Sequence, residues 1–391
     1  MNINTLRKDT PACHNIVHFN NAGASLMPKI VYDRIREYNE YEYSHGGYEA
    51  YEDHLSPIEE FYISTAQLLG CKKENIAFMA NATDAYNKAL SSIPFNRNDT
   101  VLTTSNDYAS NQIAFLSLKK RMGLNLQRVP NLDNGLIDIE KMERLIQIHE
   151  PKLVAITHVP NNSGLIQNVS EIGLLCEKYS ILFMVDACQS IGQMPVNVKE
   201  IKCDFLSATM RKYLRGPRGA GFLYASDKVL KSGLFPLIPE LRGASWNLEN
   251  DFDIVPTARR FEDWENNYGS MIGATEAIKY AIDVGPDKIY NRVSTLAEYL
   301  RENLQKKGWK VLDRGLNLSG IVSCDASHLD AHVICREMRK KGFQFGVADR
   351  NFALIDFIEK DVKHAFRISP HYYNTKEEIN KFITELSIAT K

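Results

Sequence analysis

The sequence predicts a two-domain α/β protein, with a large domain built on a mainly parallel sheet covered by helices and a smaller C-terminal α+β domain. Three observations predict it. The chain has 391 residues, more than one hydrophobic core usually organises. Up to about residue 250, short apolar runs alternate with amphipathic stretches. Strands buried on both faces read in this way, with helical crossovers between them. Beyond residues 250–260, long amphipathic helices and weaker strands take over.

In chain order, Ile76–Met79 is a buried-strand candidate, followed by a helix near Ala85–Leu90. Val101–Thr104 is the next strand, with a helix around Asn111–Met122. Leu153–Thr157 leads to a helix at Val169–Tyr179. Ile181–Val185, Phe205–Leu206 and Gly221–Tyr224 are further strands. The second part has helices near Tyr268–Val284 and Ile289–Lys307. It then has strands near Lys310–Leu312, Gly320–Cys324 and Ala365–Ile368, with helices at Leu329–Lys341 and Lys376–Ile388. Asp325–Asp330 supplies cap residues, and Thr375 with Glu378 has the spacing of a capping box.

Composition narrows the partners. Lys plus Arg is 47 against Asp plus Glu 48, a net charge of −1. A nucleic-acid binder needs a positive excess on some face, so a small molecule is the expected partner. The seven cysteines form no C-x-x-C pair and no Cys/His cluster. That argues against a disulfide framework and against a zinc site, and suggests buried thiols in a reducing compartment. The first residues have no apolar core of a secretory signal, and no apolar run could span a bilayer. The expectation is a cytoplasmic protein without a membrane partner.

The most informative stretch runs Phe183-Met-Val-Asp-Ala-Cys-Gln-Ser-Ile-Gly192, then Cys203-Asp-Phe-Leu-Ser-Ala-Thr-Met-Arg-Lys-Tyr-Leu-Arg-Gly-Pro-Arg-Gly-Ala-Gly221. An apolar strand ends in Asp186. Ligands of parallel sheets sit at the carboxyl ends of strands. A second short strand leads to Lys212, and Gly216, Gly219 and Gly221 permit close turns.

This stretch resembles the class V aminotransferase family of pyridoxal-phosphate enzymes, near its branch of isopenicillin-N-epimerase-like, selenocysteine-lyase-like and cysteine-desulfurase-like proteins. Those families carry Asp-Ala-x-Gln-Ser, then a lysine followed by Gly-Pro-x-Gly. The resemblance implies a fold-type-I enzyme with pyridoxal 5'-phosphate held by Lys212 as a Schiff base. A large domain over 16–255 and a small one over 256–391, with 1–15 packed on the small one, are then expected.

The physical chemistry agrees. Such a lysine must reach its neutral form, which burial or nearby positive charge favours. A carboxylate at the pyridine nitrogen keeps that nitrogen protonated, the role implied for Asp186. By the same resemblance Gln189 bonds the phenolic oxygen, and Tyr108 stacks on the ring. Ala82, Thr83, Thr209 and Arg211 are candidates for the phosphate, the first two at a helix start. Asn161, with Asn162 a weaker choice, lies beside the ring.

Arg367, in Arg-Ile-Ser-Pro-His-Tyr-Tyr-Asn-Thr375, would grip the substrate carboxylate by paired hydrogen bonds. Asn20, Asn21 and Ala22 would line the substrate mouth. Gly46–Glu49 and Arg242–Trp246 are candidates for shaping the pocket, and Arg259–Glu262 reads as structural. The partners implied are an amino-acid substrate and a second copy of the chain.

Reaction type stays open among a β-eliminating lyase, a transaminase and an epimerase or racemase, because fold and cofactor do not choose. A non-catalytic cofactor-binding regulator is the reading from another class. Cysteine desulfurases carry a nucleophilic cysteine shortly before the Arg-x-Ser segment. Here that region, Phe345–Phe352, has none, which disfavours persulfide chemistry.

Overall fold

The computed structural model describes residues 1–390. Its largest sheet has seven strands: β1 (Ile76–Met79), β2 (Thr100–Thr103), β3 (Asn125–Arg128), β4 (Leu153–Thr157), β5 (Leu182–Asp186), β6 (Phe205–Thr209) and β7 (Gly221–Ala225). Their spatial order is β1-β7-β6-β5-β4-β2-β3. All neighbours are parallel except β7, which runs against both β6 and β1. Every residue of β4, β6 and β7 is buried, as strands covered on both faces require. β3 is the exception. It lies at the edge, and its Asn-Leu-Gln-Arg is polar at the exposed positions, which discourages edge pairing.

A second sheet has three antiparallel strands in the order β8-β10-β9, namely β8 (Val322–Asp325), β9 (Gly346–Asp349) and β10 (His364–Ile368). Its core gathers Phe19, Leu300, Phe345, Phe366 and Phe382.

The helix Pro286–Lys306 belongs to both cores. Ile289 and Val293 pack with the large sheet, while Leu296, Leu300 and Leu304 pack with the small one. The expected division at 255/256 assigned Tyr268–Val284 to the second part. That helix instead buries Met271, Ile272, Ala274 and Ile278 in the first core, against helices Lys29–His45 and Leu55–Leu69. The N-terminal segment was expected on the small domain. Its Leu6 and Cys13 join the large core, although Arg7 pairs with Glu378 at 2.7 Å.

Lys310–Leu312 forms no strand. Val311 makes one isolated bridge to Cys324, because the chain turns away into an irregular segment. The caps of the C-terminal helices stand as expected. Asp330 caps Ala331–Lys340, and Thr375 and Glu378 form the capping box of Lys376–Ala389. Glu262 proves structural too: its buried carboxylate accepts from Phe78 N at 2.9 Å and Tyr62 Oη at 3.1 Å.

The loop after β6 is tied down by Arg215, which has positive φ and is 1% exposed. Its guanidinium donates to Leu26 O at 2.8 Å, to Tyr372 Oη at 2.7 Å and to Thr10 Oγ1. The rings of Tyr280, Tyr372 and Tyr373 surround it. The loop that presents Lys212 is thereby fixed to both ends of the chain.

Candidate active site

Strand register gathers the site. Thr157, Asp186 and Ser207 sit side by side on β4, β5 and β6. Met79, Gly221 and Thr209 do so on β1, β7 and β6. The loops leaving the carboxyl ends of the parallel strands therefore converge over one edge of the sheet, where ligands of such sheets bind.

Asp186 is buried. Its Oδ2 accepts from Asn111 Nδ2 at 3.0 Å, and its Oδ1 from Cys188 N at 3.0 Å. Asn111 was missed as a site residue. The available signal was its place three residues after Tyr108, at the start of the same helix, Ala109–Met122, where such residues share a face.

Tyr108 lies just before that helix and receives support from Thr157, whose Oγ1 accepts from Tyr108 N at 3.2 Å. Its ring centroid is 6.0 Å from Lys212 Nζ. Asp107, also unassigned from sequence, clamps the strand ends beneath. It accepts from Thr104 N at 2.8 Å and Thr157 N at 2.7 Å.

Lys212 is buried, and burial pushes its ammonium pKa down. Arg211 and Arg367 push the same way, while Cys188 and Asp186 oppose them. The amine is thus biased toward the neutral, nucleophilic form. Arg367 is buried at its head group and held by Asn161 O at 3.0 Å and Asn20 Oδ1 at 3.3 Å. Its Nε has no partner among the described residues. Arg211 donates to Gly23 O. Burial, then the neighbouring Arg218, lowers its pKa. Two guanidinium groups thus face one region with their bonds on neutral oxygens, a setting that favours anions.

The other expected residues divide. Gln189 Nε2 donates to Ala22 O at 3.0 Å, and its Oε1 is buried without a partner among the described residues. Asn161 Oδ1 is likewise unpartnered, as is Nδ1 of buried His158, whose ring burial pushes down to about 4.

Asn162 is structural. Its Nδ2 donates to Asp356 Oδ2 at 3.1 Å. Asn21 also departs from expectation. It is 0% exposed, donates to Ser369 O at 2.7 Å and accepts from Tyr373 Oη at 2.6 Å. Both ends of its amide are used, so it ties the N-terminal loop to the segment after Arg367 and does not line a substrate mouth. Ala22 is buried, and its backbone is engaged by Ser369 and Gln189. Asn20 is the member of this trio that touches Arg367.

At the opposite end, Asn81 caps the helix Ala82–Ser91 by accepting from Asp84 N at 3.0 Å. Thr83 is exposed on the first turn. Thr209 Oγ1 leans on Ala220 O at 3.5 Å. A Cβ on Gly221 would stand 2.9 Å from Asn81 C and 3.1 Å from Ala82 N, so only glycine leaves the helix start open there.

These groups fit pyridoxal phosphate. The open helix start, Thr83 and Arg211 suit the phosphate, Asp186 the ring nitrogen, and Gln189 and Asn161 the ring edge, each with an unused buried atom. Lys212 would supply the amine. The fold and site together define a fold-type-I pyridoxal-phosphate enzyme.

The comparisons place it further. The family model described as "Aminotransferase class-V" matches residues 17–382, and the chain belongs to that family. A probable cysteine desulfurase of Pyrococcus abyssi is 29% identical, covering 99% of this chain and 97% of the relative. One from Borreliella burgdorferi is 28% identical, over 99% and 96%. The apo structure of a cysteine desulfurase from Thermococcus onnurineus NA1 superposes with TM-score 0.91 at 27% identity, covering 100% of this chain and 98% of that one. A cystine C-S lyase complexed with cysteine persulfide shares the fold at TM-score 0.84 and 19% identity, over 97% and 99%. Among the described residues, no helix is long and apolar enough to cross a membrane.

Proposed function

We propose that the protein is a lyase that removes a sulfur-linked β-substituent from an amino acid and releases it without storing sulfur on its own cysteines. The observation that carries this reading is the placement of the thiols. Cys188 stands beside Lys212 and Asp186, but it is buried and burial pushes its thiol far up. A nucleophilic thiolate is disfavoured there. The segment Gly346–Phe352, where a desulfurase would carry its nucleophile, is a strand and a short 3-10 turn without cysteine. The names of the relatives support sulfur-amino-acid lysis over transamination or epimerisation.

The cofactor, when bound, supplies an electron-accepting ring next to the substrate α-carbon. Around it, Arg367 would pair with the substrate carboxylate through its fork. Lys212 Nζ would take the α-proton once released from the cofactor. Asp186, held by Asn111, would keep a proton on the ring nitrogen. Tyr108 would cover the ring face. Loss of the α-proton and departure of the sulfur with the Cβ–S electron pair leave an enamine, which hydrolyses to keto acid and ammonia.

Turnover of L-cysteine, L-cystine and S-alkyl-cysteines tests this. The expected result is equal keto acid and ammonia with an unmodified protein mass. Protein persulfide would instead make it a desulfurase. Amino transfer to an added keto acid without ammonia would make it a transaminase. A bound cofactor with no turnover of any amino acid would leave the non-catalytic regulator.

A homodimer belongs to the same reading. Leu237, Ile238, Trp246 and Leu248 are 76%, 83%, 76% and 65% exposed, on segments joined by the Phe235–Phe252 ring contact, and exposed apolar clusters mark interaction surfaces. Leu237 lines a cleft shared with Thr83, so a second copy seated here would cover the exposed phosphate end. Light scattering showing an active monomer would overturn this.

A further inference from the structure

Far apart in sequence, His332, Asp349 and His364 meet on the surface of the small sheet. His332 Nε2 lies 2.9 Å from Asp349 Oδ1, and His364 Nδ1 lies 2.8 Å from the same oxygen. All three ligand atoms fall within 4.8 Å of one another. We propose that these residues form a binding site for a first-row divalent transition ion, zinc foremost, with water completing the coordination.

The ligand set fits that class. Two imidazoles and one carboxylate suit zinc, nickel or copper, whereas calcium and magnesium take oxygen ligands. Zinc bonds of about 2.0–2.2 Å place tetrahedral ligands roughly 3.4 Å apart. The rings therefore need to part from the carboxylate by only about half an ångström.

The backbone already holds the ligands in place. Asp349 and His364 are directly opposed across β9 and β10, so their side chains leave the same face of the sheet. His332 comes from the first turn of Ala331–Lys340, a helix fixed at its start by the Asp330 cap. The His332 side chain is 51% exposed, which leaves an open side for water. On loading, each facing ring nitrogen gives its lone pair to the ion. Any proton it carried moves to the ring's other nitrogen or, from a charged ring, to solvent.

Position gives the site a role. The ladder that pairs Asp349 with His364 also pairs Gly346 with Arg367. An ion bridging three elements would brace the ladder carrying the arginine proposed to grip the substrate. No cysteine takes part, so the site is distinct from thiol chemistry.

Calorimetric titration of zinc chloride into the holoenzyme tests this, alongside His332→Ala, His364→Ala and Asp349→Asn. The expected result is one equivalent bound per chain. Each substitution should weaken affinity at least about tenfold, and the zinc-induced rise in melting temperature should vanish with His332→Ala. Because His332 is exposed, that variant should fold normally. Absence of saturable binding would overturn the proposal. So would binding in the two histidine variants as strong as in the unsubstituted protein, which would put the ion elsewhere, for example on the free thiols.

Discussion

Lys212 and Arg215 stand three residues apart in one loop, and both are buried. Their surroundings are opposite. Burial should weaken the Arg215 guanidinium's hold on its proton, but Tyr372, Tyr373 and Tyr280 more than reverse this, and each of its nitrogens has an oxygen to donate to. Lys212 has no such shell. Burial lowers its pKa, and two arginines add to the effect. A buried cation with a partner for every nitrogen is holding the fold together. A buried amine without such partners is held for one that comes later. Satisfaction of donors, more than burial, separates scaffold from site in this loop.

The sharpest break of that contrast is Lys212→Ala. Activity should fall by about 10²–10⁴-fold or more, while urea denaturation of the cofactor-free protein should be unchanged or improved, since a desolvated amine has been removed. Arg215→Met should do the reverse. Losing three charge-assisted donations should cost on the order of 3 kcal/mol or more of unfolding free energy. If Arg215→Met were instead stable and inactive, Arg215 would belong to the site and the contrast would fail.

Arg367→Lys sharpens the comparison from the substrate side. A point charge cannot reproduce the paired geometry. KM for the amino acid should rise about 10–100-fold with little change in stability. The smallest effect concerns His158, neutral in the fold with a pKa pushed down to about 4 by burial. Below its ordinary value of about 6.5 the unfolded chain binds the proton and the folded chain does not. Stability should therefore fall as pH drops from about 6.5 toward 4, by about 2 kcal/mol at pH 5. His158→Gln should flatten that part of a denaturation–pH curve, and an unchanged slope would show that the ring contributes nothing to it.

Much of the large sheet was legible because strands covered on both faces leave uninterrupted apolar runs. β1 and β4 stand at the expected residues for that reason. The polar edge strand β3 gave no such run and was missed. Lys212, Asp186 and Arg367, which the fold brings into one region, stood out because their motifs carry unusual residues in a fixed order. Asn21 was less legible. An Asn-Asn-Ala-Gly string does not reveal that one amide is spent on a segment 348 positions away. The His332, Asp349 and His364 cluster has no local spacing at all. It exists only because a helix and two paired strands meet.

The helix Pro286–Lys306 has a consequence for how the chain is made. Its first turns complete one core and its later turns another. A nascent chain leaving the ribosome therefore cannot finish the large sheet's packing until this helix has emerged, and the helix cannot bury its other stretch until β10 arrives near the end of synthesis. The early-made half should wait, partly assembled, for the last-made one. A gene truncated just before the helix should yield a protein that is bound by chaperones instead of one that accumulates as a free domain.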